Sequence, residues 1–118
     1  MPDDVYVGHV FVETKRHAPA FADLHDDESA AVGVLASRLS RAMREALGAD
    51  YVFAAVIGTG VPHFHLHLLA RYPGTPVDVP WHGVDEWEGG PRGAAAEIEA
   101  ATGAIRDALR ARRLYVSR

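Results

Sequence analysis

Three of the seven histidines of this 118-residue chain alternate with apolar residues in the run Val61-Pro62-His63-Phe64-His65-Leu66-His67-Leu68-Leu69. Strict alternation of this kind is typical of a β-strand that has one face in a core. Because successive side chains of a strand point to opposite faces, His63, His65 and His67 are predicted to share one face. Phe64, Leu66 and Leu68 then pack against the core, and the imidazole face needs a chemical explanation.

Length, composition and charge limit the class of protein. A chain of 118 residues, of which 48% are hydrophobic and 24% charged, is predicted to form a single globular domain over 1–118. No apolar run reaches the roughly 20 residues of a membrane span, and the first residues lack a signal-peptide pattern. The net charge of −4 argues against a nucleic-acid polymer as partner, and the absence of cysteine excludes thiolate metal sites. We expect a cytoplasmic protein that acts on a small molecule.

The predicted strands lie on both sides of a long helix. A strand is predicted over 9–13 and another over 51–57, and the second is apolar enough to be central or covered. Because only Gly58-Thr59-Gly60 separates residues 51–57 from the histidine run, these two strands are predicted to form an antiparallel pair.

Two helices and one loop complete the prediction. The first helix begins near Asp26, with Asp26 or Asp27 as N-cap, and ends at Gly48. A second apolar pattern with helical spacing covers 94–113. Residues 73–93 are rich in Pro and Gly and are predicted to be a long surface loop. Trp81 and Trp87 are expected to anchor this loop, with the covering of a binding site or of an interface between two copies as the alternatives.

The histidine face has three chemical interpretations. It can be the solvated face of an edge strand, although one histidine would suffice for that. It can be a metal site, since imidazole is a common metal ligand. However, the Cα atoms of His63 and His67 would be roughly 13 Å apart in a strand, so one ion would need help from His9 or an acidic residue.

The third interpretation is nucleophilic catalysis. A neutral imidazole can attack phosphorus and form a covalent intermediate that water or another acceptor then opens. The attacking ring must be fixed in one tautomer, and neighbouring imidazoles can hold the phosphate oxygens. His65, with an imidazole on each side, is the natural nucleophile.

The run 63–69 resembles the His-φ-His-φ-His-φ-φ signature of the histidine triad (HIT) superfamily of nucleotide hydrolases and transferases, where φ is apolar. Residues 8–12, Gly-His-Val-Phe-Val, are similar to the Gly-His strand of that family, and Lys15-Arg16-His17 to the basic stretch after it. The resemblance implies an α+β fold, an antiparallel meander sheet with one long helix packed on it. A C-terminal helix follows, and such domains commonly form homodimers.

The resemblance also implies the roles of the histidines. His65 would attack the α-phosphate of a nucleotide and form a nucleotidyl-histidine intermediate. His63 would orient His65, partly through its backbone carbonyl, while His67 would contact the phosphate or the leaving group and His9 would support the triad. No metal and no cofactor is required. Typical substrates are nucleoside phosphoramidates, adenylated amines and dinucleoside polyphosphates.

Two departures from the family pattern leave alternatives open. Where the family commonly has Gln-Ser or Gln-Thr, this chain has Thr59-Gly60, so we expect the Thr59 hydroxyl or the backbone of Thr59, Gly60 and Val61 to bind phosphate. Only seven residues precede Gly8, where the family has one or two strands with a ribose-binding residue, a role that Asp3 or Asp4 could take. A nucleotide-binding protein without turnover is therefore an alternative, and a metal-dependent hydrolase is a further one.

Overall fold

The computed structural model describes residues 4–57, 60 and 62–116. In chain order its strands and helices are β1 (Val5–Tyr6), β2 (His9–Glu13), α1 (Asp26–Leu47), β3 (Tyr51–Ala55), β4 (His65–Arg71), β5 (Arg92–Gly93) and α2 (Ala95–Val116). Two short 3₁₀ helices cover Phe21–Asp23 and Trp81–Glu86. The predicted α+β class, the antiparallel sheet and both helices are confirmed.

The histidine strand β4 lies at the centre of a three-stranded antiparallel sheet with the order β2–β4–β3. In this sheet Glu13 of β2 is paired with His65, and Ala55 of β3 is paired with His67. The strand order is not sequential along the chain, because α1 connects β2 to β3 and β4 then pairs with both strands and lies between them. β1 and β5 pair separately as a two-stranded sheet.

One strand lies in a different place from the one predicted. The strand predicted over 51–57 was expected to be central or covered, but β3 is an edge strand, and the Tyr51 side chain is 58% exposed. An apolar composition shows how much surface a strand can bury and does not show which neighbours it has. β4 takes the central place despite its histidines because its other face carries the buried Leu66 and Leu68.

The core lies between the sheet and α1. Phe64, Leu66 and Leu68 are buried, as the alternation predicts, and they meet buried residues of α1 such as Leu39 and Met43. α2 packs against α1, and its Ile105 is buried. No helix in the described part of the chain is long and apolar enough to cross a membrane.

The first helix starts with a different cap from the one predicted. Its N-cap is His25, not Asp26 or Asp27, and the backbone N–H of His25 donates to the Glu28 carboxylate at 2.7 Å. Both aspartates lie in the first turn, where the helix dipole favours negative charge. Gly48 ends the helix in a left-handed conformation, as predicted.

The segment 73–93 is more than a surface loop. It contains the 3₁₀ helix Trp81–Glu86, whose Val84 is buried against the rest of the core, and it ends in β5. Gly89 lies so close to the Trp87 ring that a Cβ there would be 2.5 Å from it, so Trp87 packs within its own loop. The 3₁₀ helix lies against β4, which brings Trp81 to the histidine face.

Candidate active site

The sheet places the predicted histidines unequally. His65 and His67 lie in β4 and are half-buried, on the face opposite the buried Leu66 and Leu68. His9 lies on the neighbouring strand β2, on the same face. His63 precedes the strand by two residues, so the predicted strand 61–69 is too long at its start.

Three imidazoles and one phenyl ring form a compact cluster. The ring centroids of His65 and His67 are 4.8 Å apart, and those of His9 and His67 are 5.3 Å apart. The half-exposed Phe11 lies 5.9 Å from His65 and 4.9 Å from His67 between ring centroids. Of the four histidines that the sequence singled out, the structure thus brings His9, His65 and His67 together.

The His63 ring points towards the end of β2. Its Nε2 is 3.1 Å from the carbonyl oxygen of Thr14 and 3.6 Å from Oε1 of Glu13. Because a carbonyl oxygen can only accept, Nε2 of His63 carries a proton and donates it. The side chain of His63 therefore joins β4 to β2, and its contribution to the histidine face comes from its main chain.

His65 is held in one tautomer by the main chain. Its Nδ1 lies 2.8 Å from the carbonyl oxygen of His63. Since this oxygen can only accept, Nδ1 carries the proton and donates it, which leaves the lone pair of the neutral ring on Nε2. A fixed ring with an unprotonated nitrogen is what a nucleophile requires.

His67 is linked to His9 and, through it, to a carboxylate. Nε2 of His9 is 3.0 Å from Nδ1 of His67, and Nδ1 of His9 is 3.5 Å from Oδ2 of Asp85. Asp85 lies in the 3₁₀ helix Trp81–Glu86 and was not singled out from the sequence. The only signal was an acidic residue between two tryptophans in a loop, and no sequence pattern pairs such a residue with a histidine of a distant strand.

Burial disfavours the charged form of two of these rings. Burial lowers the pKa of His67, and the nearby His9 and His65 lower it further. Burial also lowers the pKa of His9, although Asp85 opposes this change. Both rings are therefore mainly neutral at pH 7.

Three cavities adjoin the cluster. One of about 280 Å³ lies in front of His65 and is lined by Phe11, Glu13, His63 and His65. A smaller one of about 180 Å³ lies beside His67, with Trp81 and Asp85 in its wall. A third of about 400 Å³ extends from His9 and Phe11 to Arg92 and the first turns of α2. A small molecule can therefore reach His65 and extend along β2.

The predicted phosphate-binding residues are only partly described. Thr59 and Val61 lie outside the described residues, and Gly60 is exposed. In the basic stretch, Arg16 is engaged by Glu28, with Nε to Oε2 at 2.9 Å and Nη2 to Oε1 at 2.6 Å. The charge of Arg16 therefore stabilises the junction with α1, while Lys15 is exposed.

Within 4–57, 60 and 62–116, no group of three or more His, Asp or Glu side chains could hold a metal ion. The histidines of the cluster are instead hydrogen-bonded to each other or to the main chain.

Known proteins resemble this chain in both sequence and structure. The sequence model of the HIT domain matches residues 3–74. An uncharacterised HIT-like protein of Mycoplasma genitalium is 36% identical over 70 residues, which are 55% of this chain and 50% of that protein. The chain thus spans about half the length of this curated relative.

Solved structures of histidine triad proteins extend the likeness to most of the chain. A histidine triad protein from Bradyrhizobium japonicum is 27% identical and superposes with a TM-score of 0.70, over 86% of this chain and 75% of that one. A zinc-bound histidine triad family protein from Mycobacterium smegmatis is 25% identical, with a TM-score of 0.65 over 94% and 73% of the two chains.

Proposed function

This chain belongs to the HIT domain family, and on that premise we propose that it is a nucleotide hydrolase or transferase whose nucleophile is Nε2 of His65. The observation that carries the proposal is the hydrogen bond from Nδ1 of His65 to the carbonyl oxygen of His63, at 2.8 Å. It fixes the tautomer in which Nε2 holds the lone pair, on the face that carries a cavity in front of the ring.

The proposed reaction has two displacements at one phosphorus atom. Nε2 of His65 attacks the α-phosphorus of a nucleotide, a N–P bond forms, and the P–O or P–N bond to the leaving group breaks with its electron pair. A proton from the histidine cluster or water neutralises the leaving group. Water, or another acceptor, then attacks phosphorus, releases the nucleotide and returns the electron pair of the N–P bond to Nε2.

The substrate would lie along the edge of β2. The phosphate would occupy the cavity of about 280 Å³ in front of His65, where imidazole N–H groups can hold its oxygens. The nucleoside would extend into the cavity of about 400 Å³, which has apolar walls from Val5, Val7 and Ile98 and polar groups from Arg92 and Thr102. Such a mixed lining is typical of sites for small organic ligands.

The proposal is tested with a fluorogenic adenosine 5′-phosphoramidate and with a dinucleoside polyphosphate. We expect turnover by the purified protein, and a loss of at least about 10³-fold in the His65→Ala variant. The matched control is His25→Gln, which removes an exposed imidazole at the start of α1 that is not part of the cluster. Substrate labelled at the α-phosphate should leave an acid-labile label on the wild-type protein and none on His65→Ala. Equal turnover by wild type and His65→Ala would contradict the proposal.

The exposed Gly60, which has no side chain to hold a phosphate, favours a second candidate, a nucleotide-binding protein without turnover. Calorimetry with AMP separates the two functions. Binding of AMP together with the absence of turnover on both substrates would support the second candidate. A chelator in the turnover assay distinguishes the metal-dependent alternative, since imidazole attack should proceed unchanged in its presence.

We also propose that the protein forms a homodimer through β3. This strand is at an edge of the sheet. The side chain of Tyr51, at its start, is 58% exposed, and that of Ile57, two residues after its end, is 59% exposed. An exposed apolar edge strand pairs readily with a second strand, and two copies can do so about a twofold axis. We expect a dimer by sedimentation equilibrium and a monomer for the double variant Tyr51→Glu/Ile57→Lys. Val77→Glu, at a side chain 98% exposed elsewhere on the surface, is the control.

A further inference from the structure

The 3₁₀ helix Trp81–Glu86 is held against the histidine face by two contacts. Val84 is only 1% exposed and anchors the helix in the core. In addition, Nη1 of Arg92 donates to the carbonyl oxygen of Asp85 at 3.1 Å. These contacts hold the backbone at Asp85, whose carboxylate lies next to His9 of β2.

Asp85 stands at the end of a chain of polar groups that runs into the cluster. Its Oδ2 is 3.5 Å from Nδ1 of His9, at the outer limit of hydrogen-bonding distance, and Nε2 of His9 is 3.0 Å from Nδ1 of His67. The side chains of His9 and Asp85 are 26% and 30% exposed, so solvent only partly screens their interaction. The order is carboxylate, imidazole, imidazole.

The carboxylate of Asp85 determines which ring nitrogen of His9 and of His67 carries the proton. An ionised carboxylate can only accept a hydrogen bond, so the proton of neutral His9 belongs on Nδ1, which faces Asp85. Nε2 of His9 then holds a lone pair and accepts from Nδ1–H of His67. Consequently Nε2 of His67 is the nitrogen left for a ligand, and no hydrogen bond to it occurs among the described residues.

We propose that Asp85 is a positioning residue that sets the tautomers of His9 and His67, so that Nε2 of His67 exchanges a proton with the substrate. The effect on the tautomers does not depend on the reaction, whereas its catalytic consequence rests on the proposed function. Nε2 of His67 first accepts a proton from water or from the substrate and then donates this proton to the leaving group, so that His67 returns to the neutral ring. The preceding imidazolium is stabilised by His9 and, through it, by Asp85.

Several other groups face this chain and must be considered with it. His65 faces His67 from the same strand. His82 lines the cavity beside His67, while Arg92 lines the cavity beside His9. Burial lowers the pKa of His9 while Asp85 raises it, so removal of the carboxylate should lower that pKa further.

The test combines histidine NMR with kinetics on Asp85→Asn, Asp85→Ala and the matched control Glu86→Gln, a change at the exposed neighbouring carboxylate. With ¹⁵N-labelled histidine, the wild type should show His9 and His67 both protonated on Nδ1. In Asp85→Ala, His9 should lose this preference for Nδ1, and its pKa should be lower than in the wild type. Asp85→Asn keeps an oxygen acceptor without the charge. In this variant the pKa of His9 should also be lower than in the wild type, but more of His9 should remain protonated on Nδ1 than in Asp85→Ala.

The kinetic outcome is expected in kcat rather than in KM. Asp85→Ala should lower kcat by about 10- to 100-fold and shift the pH profile of kcat, whereas Glu86→Gln should change neither. The proposal is overturned if the tautomers and the titration of His9 in Asp85→Ala equal those of the wild type, whether or not the protein is active. If the tautomers change as expected while the wild type turns over neither substrate, the positioning role stands and the proposed function fails.

Discussion

The hydrogen bond that orients His65 is accepted by the main chain of His63, not by its side chain. Nδ1 of His65 donates to the carbonyl oxygen, while the imidazole of His63 donates in another direction, to the carbonyl oxygen of Thr14. A substitution at position 63 leaves that main-chain acceptor in place. The two neighbouring histidines should therefore respond very differently to mutation.

We expect His63→Ala to lower kcat by about 10-fold and His65→Ala by at least about 10³-fold, because only the second change removes the nucleophile. The moderate effect at His63 comes from losing the link between its Nε2 and Thr14, which helps to hold the start of β4. Steady-state kinetics on the phosphoramidate substrate measures both. If His63→Ala is as inactive as His65→Ala and still folded, the side chain of His63 has a direct role in the chemistry.

Gly8, directly before His9, should tolerate no side chain. Its φ of +115° is a left-handed conformation, and a Cβ there would lie 2.7 Å from Cβ of Ala70 and 2.8 Å from the hydroxyl of Tyr72. Gly8→Ala should therefore reduce the free energy of unfolding by about 1–3 kcal/mol, measured by urea denaturation.

The control for this change is Gly33→Ala, on an exposed turn of α1 where a Cβ would have no neighbour within 4 Å. Alanine favours the helix there, so this variant should be up to about 1 kcal/mol more stable than the wild type. Equal destabilisation by the two substitutions would contradict the steric argument at Gly8.

The ion pair between Arg16 and Glu28 should make the free energy of unfolding depend on pH in the acidic range. Arg16, and next the backbone N–H of His25, lower the pKa of Glu28 from 4.5 to about 2. Between these values the unfolded chain binds the proton and the folded chain does not, so the free energy of unfolding falls as pH falls from 4.5 to about 2. Glu28→Gln should be less stable at pH 7 and should lose this part of the pH dependence.

Arg16→Gln should reproduce the effect of Glu28→Gln, and the double variant should cost less than the sum of the two, because both remove the same contact. The same amide substitution at the exposed Glu88 should change stability at pH 7 by no more than about 0.5 kcal/mol. Additive losses at positions 16 and 28 would show that the two groups act separately.

Local sequence patterns predicted most of the fold, because each depends on residues close in the chain. The alternation at 63–69 identified both faces of β4, and Gly48 marked the end of α1. The edge position of β3 could not be predicted, because strand order depends on pairing between strands that are distant in the chain. The same holds for Asp85, whose contact with His9 exists only because Val84 and Arg92 hold the 3₁₀ helix against the sheet.

The cluster itself should weaken the fold in mild acid. Burial is the main cause that lowers the pKa of both His9 and His67 below 6.5, so below that pH the unfolded chain binds more protons at these rings than the folded chain does. The free energy of unfolding should therefore decrease as pH falls from 6.5. The double variant His9→Gln/His67→Gln should show a shallower decrease, because two of the groups that take up protons on unfolding are gone. Urea titrations at pH 8, where all these rings are neutral in both states, measure the packing cost of the substitutions alone and serve as the reference. A variant whose stability declines as steeply as that of the wild type between pH 6.5 and 5 would show that His9 and His67 take up protons as readily in the folded protein as in the unfolded chain.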